Sequence, residues 1–221
     1  MKMRHLLSAT LACAATAPAH AVTFNFGNLA ATVPLSFSTC SSTDRCSTTL
    51  GGSLTFAQGG ISVSASGTYQ GNAAAPVQDA PSGGPAGLGV YHLITYPGPV
   101  VGNTSDDNVS FEETLTLTFN QVVSLSNILF RNGDHGTTFA GDFGLSVDGN
   151  PMTNQLLVSS FNTPLQGQTF AFTGLGNPEN TKFYINTLTV TPVPEPETYA
   201  LMLAGLGALG AFARRRRQQG T

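Results

Sequence analysis

The sequence has no tryptophan, three cysteines and few charges: Asp, Glu, Lys and Arg together make up 10% of its 221 residues. Each shortage narrows the function. Between the two chain ends the cations are Arg45, Arg131 and Lys182, so this stretch is acidic while most of the arginine sits in the tail. That balance argues against a nucleic-acid or anionic-membrane role for the middle of the chain. Without tryptophan, a sugar-stacking platform would have to come from tyrosine. Tyr91 and Tyr96, beside a Gly/Pro-rich loop, are the candidates, and strand-edge packing is the simpler reading of both. Hydrogen-bonded or calcium-bridged sugar binding stays open.

Catalytic patterns are missing as well. There is no Gly-x-Ser-x-Gly, no His-Glu-x-x-His and no phosphate-cradling loop. Asp134-His135 invites an acid–base reading, yet a histidine in an Asn-Gly-Asp-His-Gly turn reads more simply as a solvated loop residue. Glu112 and Glu113 are chain neighbours and face opposite sides of a strand, so they make a poor glycosidase pair, which must flank one bond from facing positions. The chain is therefore read as a non-enzyme, with a secreted hydrolase the weakest of the readings considered. Cys40 and Cys46 stand in Cys-Ser-Ser-Thr-Asp-Arg-Cys; with only His92 and His135 to help, they make a poor zinc set. A local disulfide clamping a surface loop is the expectation in an oxidising compartment.

The ends carry the stronger signals. Lys2, Arg4 and His5 precede an apolar stretch from Leu6 to Ala17, and Ala19-His20-Ala21 supplies small residues at a cleavage site. Residues 1–21 are thus expected to be a signal peptide removed by signal peptidase. Cys13 after Thr10-Leu11-Ala12 approximates a lipoprotein box poorly, because an aliphatic residue normally stands where Thr10 is. At the other end Val193-Pro194-Glu195-Pro196-Glu197 leads into an apolar run, Tyr199 to Ala213, and then Arg214, Arg215, Arg216 and Arg217. The prolines are expected to keep the segment extended up to Glu197. The apolar run predicts a single membrane helix, short beside the ~20 residues a span usually needs, with the arginines as a cytoplasmic stop.

This ending resembles the PEP-CTERM sorting domain of Gram-negative, exopolysaccharide-producing bacteria, over residues 192–217. The resemblance implies that a membrane enzyme, exosortase, recognises Pro194, Glu195 and Pro196 and removes the anchor. It also implies association with extracellular polysaccharide. The expected course is a transient inner-membrane anchor with a periplasmic body, then release to the cell surface or matrix. Residues 218–221 are a short tail.

The body, 22–191, reads as all-β. From Val109 to Phe119 the odd positions are apolar except Glu113, and the even ones are polar, which is the signature of a half-buried strand. Similar alternation marks Leu54–Phe56, Ile61–Ala65 and Phe143–Val147. Further strands are expected at Val122–Phe130, Gln155–Ser159, Gln168–Phe172 and Lys182–Val190, separated by Gly, Asn and Pro turns. An antiparallel β-sandwich, jelly-roll-like, is expected, with the Ala/Gly/Pro-rich stretch 70–87 as a long surface loop. Gly87-Leu88-Gly89-Val90 and Phe130-Arg131-Asn132-Gly133-Asp134-His135 are loosely similar to bodies of other PEP-CTERM proteins, which implies a shared sandwich.

One cluster could hold a hard cation. Asn103-Thr104-Ser105-Asp106-Asp107-Asn108 and then Glu112-Glu113 offer several oxygens, and calcium wants several. Asp106, Asp107, Asn108 and Glu113 are the candidate ligands, Glu113 because an inward carboxylate must be paired, protonated or metal-bound. An Asx-rich turn capping a strand fits the same residues. The function expected is a structural or adhesive matrix component, and the alternative is a calcium-dependent glycan-binding module.

Overall fold

Alternation of apolar and hydroxyl side chains builds one antiparallel sheet. The computed structural model describes residues 20–29, 31, 45–46, 51–79, 86–92, 107–137, 139–150, 153–155, 160–176, 181–194 and 196–218. Residues 1–19, Cys40, Asp106 and Glu195 lie outside this set. The strands are β1 (Val22–Asn25), β2 (Arg45–Cys46), β3 (Leu54–Gln58), β4 (Ile61–Tyr69), β5 (Asn72–Gln78) and β6 (Leu88–Tyr91). They continue with β7 (Glu113–Asn132), β8 (Phe143–Val147), β9 (Thr153–Gln155), β10 (Ser160–Gly174) and β11 (Phe183–Pro192), and one helix follows, α1 (Pro196–Gln218). All the strands belong to compact unit His20–Val193, and the segment from Pro194 belongs to another.

The sheet runs β1-β11-β6-β5-β4-β7-β10-β8-β9, with β2 on β5 and β3 on β4. A further β7–β11 pairing closes β11, β6, β5, β4 and β7 into a five-strand barrel. The 20-residue β7 makes this possible. Its first half pairs with β4 (Val63↔Phe119 to Tyr69↔Glu113) and its second half with β11 (Pro192↔Val123 to Phe183↔Asn132). Along its other edge β10 pairs with it almost throughout.

Two register shifts bend the ladder. Asn127 and Leu125 face the successive residues Thr189 and Val190, leaving Ser126 extra on β7; Phe130 and Leu129 face Ile185 and Thr187, leaving Asn186 extra on β11. Such bulges curl a strand and re-aim its side chains. Buried positions on β7 accordingly change phase, from Leu115, Leu117, Phe119, Val123 and Leu125 to Ile128 and Phe130. The antiparallel all-β class stands. The two separate sheets of a jelly roll do not: the described strands form one sheet that curls closed, because β7 switches partner in mid-course.

The stretch 70–87 also differs from expectation. Residues 72–78 form β5, with Ala74, Ala75 and Val77 buried. Small side chains there are a packing requirement: a methyl on Gly67 of the neighbouring strand would sit 3.0 Å from Val90 and 3.3 Å from the Ala75 backbone. Fourteen phenylalanines supply the bulk that tryptophan does not. Phe56, Phe26, Phe24, Phe119 and Phe170 touch in that order, with ring centroids 5.1–6.1 Å apart. Phe130 gathers Phe139, Phe143 and Phe183 at 4.7–5.8 Å.

Helix α1, taken by itself, starts at Pro196 rather than beyond Glu197. Proline suits a first helical position because its missing N–H would have no partner there. Leu201, Leu203, Leu206 and Phe212 are exposed. The arginine cluster at its end complements the negative end of the helix dipole. Among the described residues no helix is long and apolar enough to cross a membrane. The expected single span is thereby corrected, since the arginines end the apolar stretch before it reaches bilayer length.

Candidate functional site

Three arrangements in the described residues bear on function. The first is the junction with the C-terminal segment. β11 ends at Pro192, Val193 N–H donates to the Val122 carbonyl at 3.0 Å, and Pro194 is exposed. The last strand is therefore complete and pinned before the proline triplet begins. Arg214 and Arg215 are exposed, and Arg216 and Arg217 continue the helix.

The second arrangement surrounds Glu113, whose side chain is fully buried. Its register opposite Tyr69 puts it in phase with the apolar face, as the alternation implied. One carboxylate oxygen meets His92 Nδ1 at 2.6 Å; the other accepts the Ser110 N–H and hydroxyl, each at 2.7 Å. The His92 ring stacks on Tyr69 with centroids 4.0 Å apart. Both oxygens of this inward carboxylate are thus engaged by protein groups.

The third arrangement sits where β5 and β7 end and β6 and β11 begin. Asp107 does not join Glu113. It is buried and accepts a hydrogen bond from the Tyr184 hydroxyl. Asp79, at the end of β5, is buried too, and its Oδ2 accepts the Ala86 N–H at 2.7 Å. His135 Nδ1 stands 3.7 Å from that same oxygen, and its Nε2 lies 3.4 Å from the Tyr184 hydroxyl. The bulge residue Asn186 turns inward and donates to the Ala86 carbonyl at 3.0 Å, fixing the residue whose N–H serves Asp79. Burial first, and then the Asp107 and Asp79 carboxylates, raise the Tyr184 hydroxyl far above the ordinary tyrosine range.

The local backbone explains how His135 gets there. The Asn132 side chain accepts from Asp134 and Gly136 N–H groups at 3.1 and 2.6 Å, and Arg131 Nη1 donates to the His135 carbonyl at 2.9 Å. This mesh holds His135 at φ +65°, a left-handed conformation unusual for a residue with a side chain. The Asn-Gly-Asp-His-Gly turn thus aims its histidine at Asp79 and Tyr184, not outward. Asp79 and Tyr184 were not marked by any motif, since one sits in an Ala/Pro-rich stretch and the other at a core strand start. Asn108 is buried beside Asp107. Cys46 is disulfide-bonded and belongs to a small cluster with Val77 and Tyr91; its expected partner, Cys40, lies outside the described residues, as does Tyr96.

The fold and the C-terminal segment together define an antiparallel all-β body carrying a separate C-terminal address. That address is the PEP-CTERM protein-sorting motif, which matches residues 192–217. The chain is a PEP-CTERM domain-containing protein, and the motif makes it an exported protein targeted to exosortase through membrane-associated sorting. No curated protein and no solved structure matches the chain.

Proposed function

We propose that the body is a non-catalytic structural or adhesive component of the cell surface or extracellular matrix, associated with exopolysaccharide. The supporting observation is a hydroxyl-bearing face that spans three strands. Ser64, Thr118 and Thr169 lie abreast across β4, β7 and β10, as do Thr68, Thr114 and Thr173, with Ser66 and Thr116 between them. These side chains are exposed or half-buried. Ranked hydroxyls can donate to and accept from sugar hydroxyls without the tryptophan platforms that the chain lacks.

The delivery proposed is export by the N-terminal signal, membrane-associated sorting through the C-terminal segment, and cleavage by exosortase near Pro194-Glu195-Pro196. Because Val193 already closes the sheet, cutting beyond it removes no strand. The test is binding of the protein to its host's own extracellular polysaccharide, with calcium and with chelator. Retention that falls when Thr116→Glu interrupts the hydroxyl face supports the reading. Retention that vanishes only with chelator favours a calcium-bridged glycan module. No retention in either condition removes the polysaccharide role.

A further inference from the structure

At the barrel end, Asp79, Asp107 and His135 each offer a ligand atom, and these atoms all lie within 4.8 Å of one another. They arrive from three separate segments: the end of β5, the approach to β7 and the turn after β7. Asp79 and Asp107 are 5% and 9% exposed. Two carboxylates and an imidazole brought this close make a compact set of donors for a cation.

The Tyr184 hydroxyl decides how the imidazole is presented. Its one proton goes to Asp107, so towards His135 Nε2, 3.4 Å away, it can only accept. A neutral His135 then carries its proton on Nε2 and turns a bare Nδ1 lone pair towards Asp79 Oδ2, 3.7 Å away. A lone pair facing a carboxylate calls for a cation. We propose that Asp79, Asp107 and His135 Nδ1 bind a borderline divalent transition metal, with zinc as the probe ion. An imidazole with two carboxylates suits zinc, whereas calcium takes six to eight oxygens.

The surrounding contacts match what such a site needs. Metal-binding carboxylates and imidazoles are normally oriented by a second ring of hydrogen bonds. Here Ala86 N–H holds Asp79, the Tyr184 hydroxyl holds Asp107 and accepts from His135, and Asn186 holds Ala86. His135 is 37% exposed and gives an ion a way in. The bound ion would clip the segments at Asp79 and Asp107 to the end of β7. This site is independent of the sorting tag and of the hydroxyl face.

The test uses the full chain without a histidine tag, stripped with chelator and held in mild detergent, titrated with zinc and separately with calcium. The expected result is one saturable zinc per chain, a higher Tm with zinc, and weaker binding of calcium. His135→Ala should weaken zinc by more than about tenfold, the scale seen even for changes in the second ring of contacts. This half-exposed residue is the decisive variant, because Asp79→Asn also disturbs the Ala86 contact and can destabilise the fold. Tyr184→Phe should retain zinc at reduced affinity. Absence of saturable zinc, equal affinity in His135→Ala, or calcium binding as tight as zinc would overturn the proposal.

Discussion

The Tyr184 hydroxyl donates its proton to the carboxylate of Asp107, 77 residues away in the chain and buried with it. The bond ties the approach to β7 onto the start of β11. Tyr184→Phe leaves the ring's packing intact and deprives a buried carboxylate of a donor, which costs about 1–3 kcal/mol. A lowered Tm with unchanged far-UV circular dichroism is the expected outcome; an unchanged Tm would mean that Asp107 finds another donor at no cost.

The same tyrosine gives the fold an alkaline limit. Its ordinary value is 10.0, and burial with the Asp107 and Asp79 carboxylates raises it in the folded protein. The folded chain keeps a proton that the unfolded chain releases above about pH 10. Its contribution is fully present below that pH and is lost as pH rises further, by up to about 1.4 kcal/mol per pH unit. Denaturant midpoints measured from pH 8 to 11.5 should fall more steeply for the wild type than for Tyr184→Phe.

Glu113 and His92 form a pair that holds the start of β7 to the end of β6. Removing one partner strands the other in a buried place, so Glu113→Ala should destabilise by about 3–5 kcal/mol. A double-mutant cycle of Glu113→Gln with His92→Gln should return a coupling of about 0.5–3 kcal/mol. A coupling near zero in thermal or urea unfolding would show that the contact carries no net energy.

Gly89 lies where the chain crosses the Asp107–Asn108 backbone, and a methyl there would overlap the Asp107 carbonyl oxygen. Backbone cannot swing aside as a side-chain tip can, so Gly89→Ala should cost at least about 1–3 kcal/mol, the usual range for overpacking. Thr116→Ala, on the half-exposed face, should change stability by no more than about 0.5 kcal/mol. Urea midpoints of the two variants compare them directly.

Strand positions were legible wherever one face is buried and the other wet. Ile61–Tyr69 and Glu113–Phe119 alternate in the sequence and alternate in burial. Alternation also marked Glu113 as an inward carboxylate, although its partner His92 has no periodic relation to it. β5 and β6 were illegible, because Ala73-Ala74-Ala75-Pro76 in β5 looks like a loop and the four residues of β6 are all buried, which leaves no polar face to alternate with. Closure of the barrel was hidden for a related reason: it depends on extra residues at Ser126 and Asn186, which shift register without leaving a turn signal. Asp79, Asp107, His135 and Tyr184 are spread over the chain and meet only through that closure, so no local motif points to them. The sorting segment was readable because proline, apolar run and arginine block are contiguous and act as sequence.

The central claim is that residues 192–217 are a cleavable address for exosortase. It is tested most directly by the intact mass of the protein recovered from the surface of an exosortase-bearing host, from the same host lacking the enzyme, and for Glu195→Ala. The account predicts a wild-type chain that ends close to Pro194-Glu195-Pro196 and has lost α1 with Arg214–Arg217. Both controls should keep the whole segment and stay with the membrane. A surface protein that retains Arg214–Arg217, or one trimmed equally without the enzyme, would contradict it.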